Sequence, residues 1–132
     1  MSDGDQRFAV QLNGGMEAAA LARRAVLERN GSLPERVRED VLLLVSELVT
    51  NAVRHGGAGA GGSVELELEL SRRHVRVEVA DPGDGVGSHA LPSASTDVGG
   101  WGLRMVDHVA DEWGVSSGGP GTRVWFEIRF AA

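Results

Sequence analysis

Three polar residues stand at four-residue intervals in an otherwise apolar stretch of this chain: Glu47, Asn51 and His55. Around them lie Val37, Val41, Leu42, Leu43, Leu44, Val45, Leu48, Val49, Ala52 and Val53. At 3.6 residues per turn the three stack along one stripe of a helix. A carboxylate and an amide on the apolar part of a helix need partners, because an unpaired buried amide costs roughly 2–7 kcal/mol. An interhelical hydrogen bond would satisfy them, and so would a bound ligand. Asp81 raises the same question. It follows Val75, Val77 and Val79 in phase, so it points to the side that those valines bury. A ligand with an exocyclic amine would satisfy it; so would the turn Asp-Pro-Gly-Asp-Gly, if Asp81 caps it.

Glycines cluster around these positions. Gly83, Gly85 and Gly87 follow Asp81 at every second residue, and glycine lets backbone approach a ligand closely. Turns alone would explain them equally well. Gly99-Gly100-Trp101-Gly102 lies just before a predicted helix, where unpaired N–H groups and the positive end of the helix dipole attract phosphate. Gly121-Thr122 opens the last predicted strand, and Thr122 shares the inward parity of Val124 and Phe126.

The elements that must position these residues are legible in the periodicity. A strand is expected over Arg7–Leu12, with Phe8, Val10 and Leu12 on one side. A helix follows over Met16–Asn30, buried along Ala18, Leu21, Ala22, Ala25 and Val26. Ser32-Leu33-Pro34-Glu35 is a helix start, and the helix carrying Glu47 and Asn51 runs from Pro34 to His55. Strands are expected over Ser63–Leu70, His74–Ala80, Trp113–Ser116 and Thr122–Phe130, and a helix over Gly102–Asp111. Glu65, Glu67 and Glu69 alternate with Val64, Leu66, Leu68 and Leu70, which makes one sheet face wet and leaves the other to helices. The expected fold is α+β: a two-layer sandwich of a mixed, mainly antiparallel sheet covered on one face by helices. A chain of 132 residues suits a single domain.

Composition excludes several classes. All thirteen basic residues are arginine. A Walker A loop and an ordinary protein kinase both need a lysine on the phosphates, so both are excluded. There is no cysteine, hence no disulfide framework and no thiolate metal site. A net charge of −6 argues against a nucleic-acid surface. No signal-peptide pattern or membrane-length apolar run is present, so no membrane association is expected and a cytoplasmic location is. His74, His89 and His108 have no metal-ligand spacing, and Asp81 to Gly85 lacks the remaining ligands of a calcium loop.

Taken together, the motifs resemble those of the GHKL ATPase superfamily, from about Phe8 to Phe130. Glu47, Asn51 and His55 look like its N box. Asp81, Gly83 and Gly85 look like its first glycine box. Gly100, Trp101 and Gly102 look like its second, and Gly121 with Thr122 like its last motif. Within the superfamily the chain is most similar to the small anti-sigma-factor serine kinases, through Gly102-Leu103-Arg104-Met105-Val106, Ala110-Asp111-Glu112-Trp113-Gly114 and the ending Val124-Trp125-Phe126. The resemblance implies a Bergerat-type ATP-binding fold with ATP and Mg²⁺ as cofactors. It implies that Asp81 accepts a bond from the adenine amine with support from Thr122, that Asn51 holds Mg²⁺, and that Glu47 is the general base for a serine hydroxyl. His55, Gly83, Gly85, Gly100, Trp101, Gly102 and Leu103 would line the nucleotide, under a lid formed by Pro82 to Gly99. The implied partners are a sigma factor and an anti-sigma antagonist protein, and the implied assembly is a homodimer. One departure is clear: relatives of this kind often carry a basic lid residue, and 82–99 contains no arginine. A nucleotide-responsive binding regulator without kinase activity is the alternative.

Overall fold

Eight elements follow one another in the order β1 (Gln6–Asn13), α1 (Ala18–Glu28), α2 (Glu35–His55), β2 (Ser63–Leu70), β3 (His74–Asp81), α3 (Leu103–Val109), β4 (Glu112–Ser116) and β5 (Thr122–Arg129). The structure is a computed structural model that describes residues 6–13, 15, 17–29, 33–55, 63–81, 103–116 and 121–131. The strands form one sheet in the order β1-β2-β3-β5-β4. All four pairings are antiparallel, so among the described residues the sheet has no parallel component.

Alternation of side chains decides which face is covered. Val64, Leu66, Leu68 and Leu70 of β2 and Val75, Val77 and Val79 of β3 are buried, with Val124, Phe126 and Ile128 of β5. They meet Val41, Leu44, Val45, Leu48 and Val49 of α2, and Ala18, Ala22, Ala25 and Val26 of α1. The alanines make α1 a thin helix on that side, so it lies close to both α2 and the sheet. The expected two-layer α+β sandwich is observed.

The other sheet face carries paired charges. Glu69 stands opposite Arg76 across β2 and β3, as the alternation suggested, but Glu67 stands opposite Glu78. That like-charge pair is relieved from the third strand: Arg123 of β5 donates to Glu78 at 2.6 Å. On the same face the Arg76 guanidinium stacks 4.2 Å from the centre of a Trp125 ring. Gly114 of β4 lies beneath that indole; a Cβ there would come within 2.6 Å of Trp125 Nε1.

The third helix ends sooner than its periodicity suggested, at Val109 in place of Asp111. The cause is local. The Asp111 N–H donates to the Glu127 carbonyl at 2.9 Å, and the Asp111 carboxylate accepts from the Arg129 N–H at 2.6 Å. These bonds draw the chain into β4 before another turn can form. Arg129 also donates to Glu112 at 2.7 Å; this hydrogen bond, then the Glu112 charge, raises the pKa of its guanidinium.

Candidate functional site

Strand register builds the first half of the site. Asp81 and Thr122 are direct partners across β3 and β5, and both are buried, at 4% and 3% exposure. Each continues the inward parity of its strand, so a carboxylate and a hydroxyl sit side by side at one end of an otherwise apolar face. Gly121 makes this possible. Its φ of +89° is a conformation that L side chains rarely adopt, and it brings the chain into β5 with Thr122 turned inward.

Helix length supplies the second half. The start of α2, around Pro34 and Val37, lies beside Ile128 and Phe130 at the far end of β5. Fourteen residues of helix carry the chain about 21 Å from Val37 to Asn51. Six residues of strand cover about 20 Å between Ile128 and Thr122. Asn51 lies on that helix, which packs against β3, the strand that ends in Asp81. It is buried at 5% exposure, and its side-chain Nδ2 has no hydrogen-bond partner among the described residues. Buried donors are nearly always paired, so an orphan one points to an acceptor outside the protein. Glu47, one turn earlier, is only half buried.

The donor set suits one class of ligand. The Asn51 amide offers an oxygen to a hard cation and an N–H to an anionic oxygen. Among the described residues no group of three His, Asp or Glu could hold a metal unaided. A magnesium ion here would take one ligand from Asn51 and the rest from phosphate and water, the coordination that ion favours. The chemistry it supplies when bound is neutralisation of phosphate charge.

Among the described residues Asn51, Asp81 and Thr122 are the buried polar or charged side chains, Asp81 and Thr122 as register partners and Asn51 on the helix packed against β3, with Glu47 on the same helix. Leu103 is buried at the start of α3, and Arg104 beside it is exposed. His55 closes α2, but its side chain is outside what the structure describes. Gly83, Gly85, Gly100, Trp101, Gly102 and the expected lid, 82–99, also lie outside the described residues.

One feature was not foreseen. A cleft of about 390 Å³ opens at the opposite pole, lined by Pro34, Val37, Asp40, Val109, Ile128 and Phe130 among others. Three distant segments form it, so no local pattern could have announced it. Two of its charged lining residues bond to each other, the Arg129 N–H donating to the Asp111 carboxylate, and among the described residues the one buried orphan polar atom, Asn51 Nδ2, lies outside it.

Residues 11–128 match the model of the histidine kinase-like ATPase domain. The chain belongs to that family. The match takes in α2 with Asn51, the Asp81–Thr122 pair and every strand but the first five residues of β1 and the last of β5. Among solved structures, this histidine kinase-like domain is similar to the crystal structure of the RsbU and RsbW domains of Rv1364c from Mycobacterium tuberculosis. There the TM-score is 0.72 and the identity 24%, over 94% of this chain and 32% of that one. It is also similar to the histidine kinase domain of a blue-light activated histidine kinase from Erythrobacter litoralis. That TM-score is 0.57 and the identity 26%, over 84% of this chain and 58% of the other. The chain thus spans about a third and somewhat over half of these two structures. No curated protein sequence matches it. Among the described residues no helix is long and apolar enough to cross a membrane.

Proposed function

We propose that this domain binds Mg-ATP and acts as an anti-sigma factor with protein serine kinase activity. In this reading it works in the cytoplasm as a homodimer, sequesters a sigma factor and phosphorylates a serine of that factor's antagonist. The observation that carries the nucleotide reading is the orphan Nδ2 of buried Asn51, on the helix packed against the strand that ends in buried Asp81. Membership of the histidine kinase-like ATPase family supports it. Likeness in fold to a structure containing an RsbW domain, together with the sequence resemblance, supports the anti-sigma assignment.

Four residues divide the work. The Asp81 carboxylate accepts from the adenine amine, and Thr122 beside it holds that carboxylate or the ring in place. The Asn51 oxygen would hold Mg²⁺, which would neutralise phosphate charge, and its Nδ2–H would donate to a phosphate oxygen. Glu47 takes the proton from the serine hydroxyl as that oxygen bonds to the γ-phosphorus and the bond from phosphorus to the ADP oxygen breaks. Half burial suits Glu47 for this task, because a protein substrate must reach it while ATP occupies the deeper positions.

Incubating the protein with labelled ATP and candidate antagonists, with phosphoserine as the readout, tests the kinase. Glu47→Ala should leave ATP affinity intact and lower transfer about 10²–10⁴-fold, the usual share of a general base. Transfer that survives the change would reject Glu47 as the base. The second reading, a nucleotide-responsive regulator without kinase activity, is favoured by the absence of arginine from 82–99, since phosphoryl transfer depends on positive charge near the transferred group. Tight ATP and sigma-factor binding with no transfer by the wild type would establish that reading instead.

A further inference from the structure

Helix α2 connects the cleft to the proposed base. Near its start, Val37 and Asp40 wall the cleft together with Val109, Ile128 and Phe130, and further along it carries Glu47. At 100° per residue Arg36, Asp40, Leu43 and Glu47 fall within about 60° of one another, so they form one stripe. α1 lies on one flank of that stripe, where Arg23 donates to Ser46 at 3.2 Å. α3 lies on the other, where Val109 lines the cleft with Val37. The stripe between them is open: Arg36 is exposed, and Asp40 and Glu47 are half buried. Leu43 is 45% exposed, and among the described residues it is the one large apolar side chain of α2 left so.

Of the four charged residues that line the cleft, Asp111 and Arg129 are engaged, with each other and with Glu112. Arg36 and Asp40 are not. They stand one helical turn apart, yet among the described residues neither side chain has an ion-pair or hydrogen-bond partner. A half-buried carboxylate with no donor favours a cation beside it. With Glu39 and Glu47, the open side of α2 presents three carboxylates and one guanidinium. Its complement is a surface that offers a lysine or arginine next to an apolar side chain. A single exposed leucine is ordinary. Here it stands between an unpaired carboxylate and the proposed base, on a stripe that runs about 16 Å from Arg36 to Glu47. A small molecule seated in the cleft would not reach Leu43 and Glu47; a protein surface would.

We infer that this stripe is the docking track for the protein that is phosphorylated: the cleft takes an apolar side chain, Asp40 takes a lysine or arginine, and Leu43 packs against the segment that leads to the serine at Glu47. Seven residues of helix set Asp40 about 10 Å from Glu47. An extended segment covers that distance in about three residues. The basic residue of the substrate therefore stands about three residues from the target serine, and the apolar one a residue or two further out. Asp40 and Leu43 choose and hold the substrate; they touch none of the reacting atoms. The inference deepens the kinase reading and rests on it for the serine at Glu47.

Synthetic serine peptides are the probe. Each carries an arginine about three residues from the serine, on one side or the other, and a leucine about two residues beyond it. Controls replace the arginine by glutamate or the leucine by alanine. With the whole chain and labelled Mg-ATP, the arginine–leucine peptides should exceed either control by about tenfold in kcat/KM. Asp40→Arg should raise their KM about tenfold, leave kcat level and turn the preference toward the glutamate peptide. Leu43→Ser should raise KM as well. ATP affinity by calorimetry and the melting temperature should stay level in both variants, and Asp40→Asn repeats the loss without added bulk. Fluorescence anisotropy with Mg-ADP present reads docking apart from transfer. Selective binding that Asp40→Arg abolishes, with no transfer, keeps the track and rejects the kinase. Transfer that ignores the arginine, or that survives Asp40→Arg and Leu43→Ser with KM unchanged, keeps the kinase and overturns the track. A panel in which no peptide binds overturns the track too.

Discussion

Asp81 carries a prediction about affinity, and Asn51 one about stability and metal dependence. Asp81→Asn replaces an acceptor oxygen with a donor where an adenine amine is proposed to bind. A lost charge-assisted bond costs about 1.5–3 kcal/mol, or roughly ten- to over a hundredfold in affinity. Calorimetry on the folded variant checks this, and unchanged affinity removes Asp81 from the site. Asn51→Ala removes a buried donor that has no protein partner. No intramolecular hydrogen bond from Nδ2 is lost, so the melting temperature of the apo protein should stay level or rise, although most buried truncations lower it. The same variant should lose the magnesium dependence of ATP binding. If it melts several degrees lower and keeps that dependence, Asn51 is a structural amide.

At the level of elements, Gly114 and Trp125 couple β4 to the sheet. A methyl group at position 114 has no room under the indole, so Gly114→Ala should destabilise by about 1–3 kcal/mol, the usual cost of overpacking. Trp125→Ala in the same chain should remove most of that penalty. Denaturant unfolding of the two single variants and the double variant measures the coupling. Gly114 also shows where the sequence stopped being readable. Its role depends on a side chain eleven residues away on the neighbouring strand, and nothing local distinguishes it from a turn glycine. The strands themselves were legible because period-two alternation persists through Ser63–Leu70, His74–Asp81 and Thr122–Arg129. Parity alone placed Asp81 and Thr122 inward, and both are buried. It could not show that they are register partners, because pairing between β3 and β5 spans some forty residues. The end of α3 was misread for a similar reason: bonds from Asp111 to β5 outweigh the helical period of Ala110 and Trp113.

For the whole molecule, ligand binding and folding share one equilibrium. A ligand at about 100 times its dissociation constant stabilises the folded state by roughly 2.7 kcal/mol. For a chain of this size that raises the melting temperature by several degrees. Mg-ATP should produce such a rise in the wild type and a much smaller one in Asp81→Asn, and thermal melts with and without nucleotide read both. The topology sets a different clock. α1 and α2 are neighbours in sequence and in space, whereas β1 must wait for β2, and Gln6 meets Leu70 only after both helices have been gathered between them. Contacts of such long sequence separation slow folding toward the millisecond-to-second range. If β1 docks after the rate-limiting step, trimming its inward side chain with Val10→Ala should leave the refolding rate almost unchanged and speed unfolding by nearly the full loss of stability. Stopped-flow chevrons would show this as one displaced limb. A chain still in synthesis would have its first strand made long before its pairing partner, and would have to keep Phe8, Val10 and Leu12 from other surfaces until Leu70 has left the ribosome.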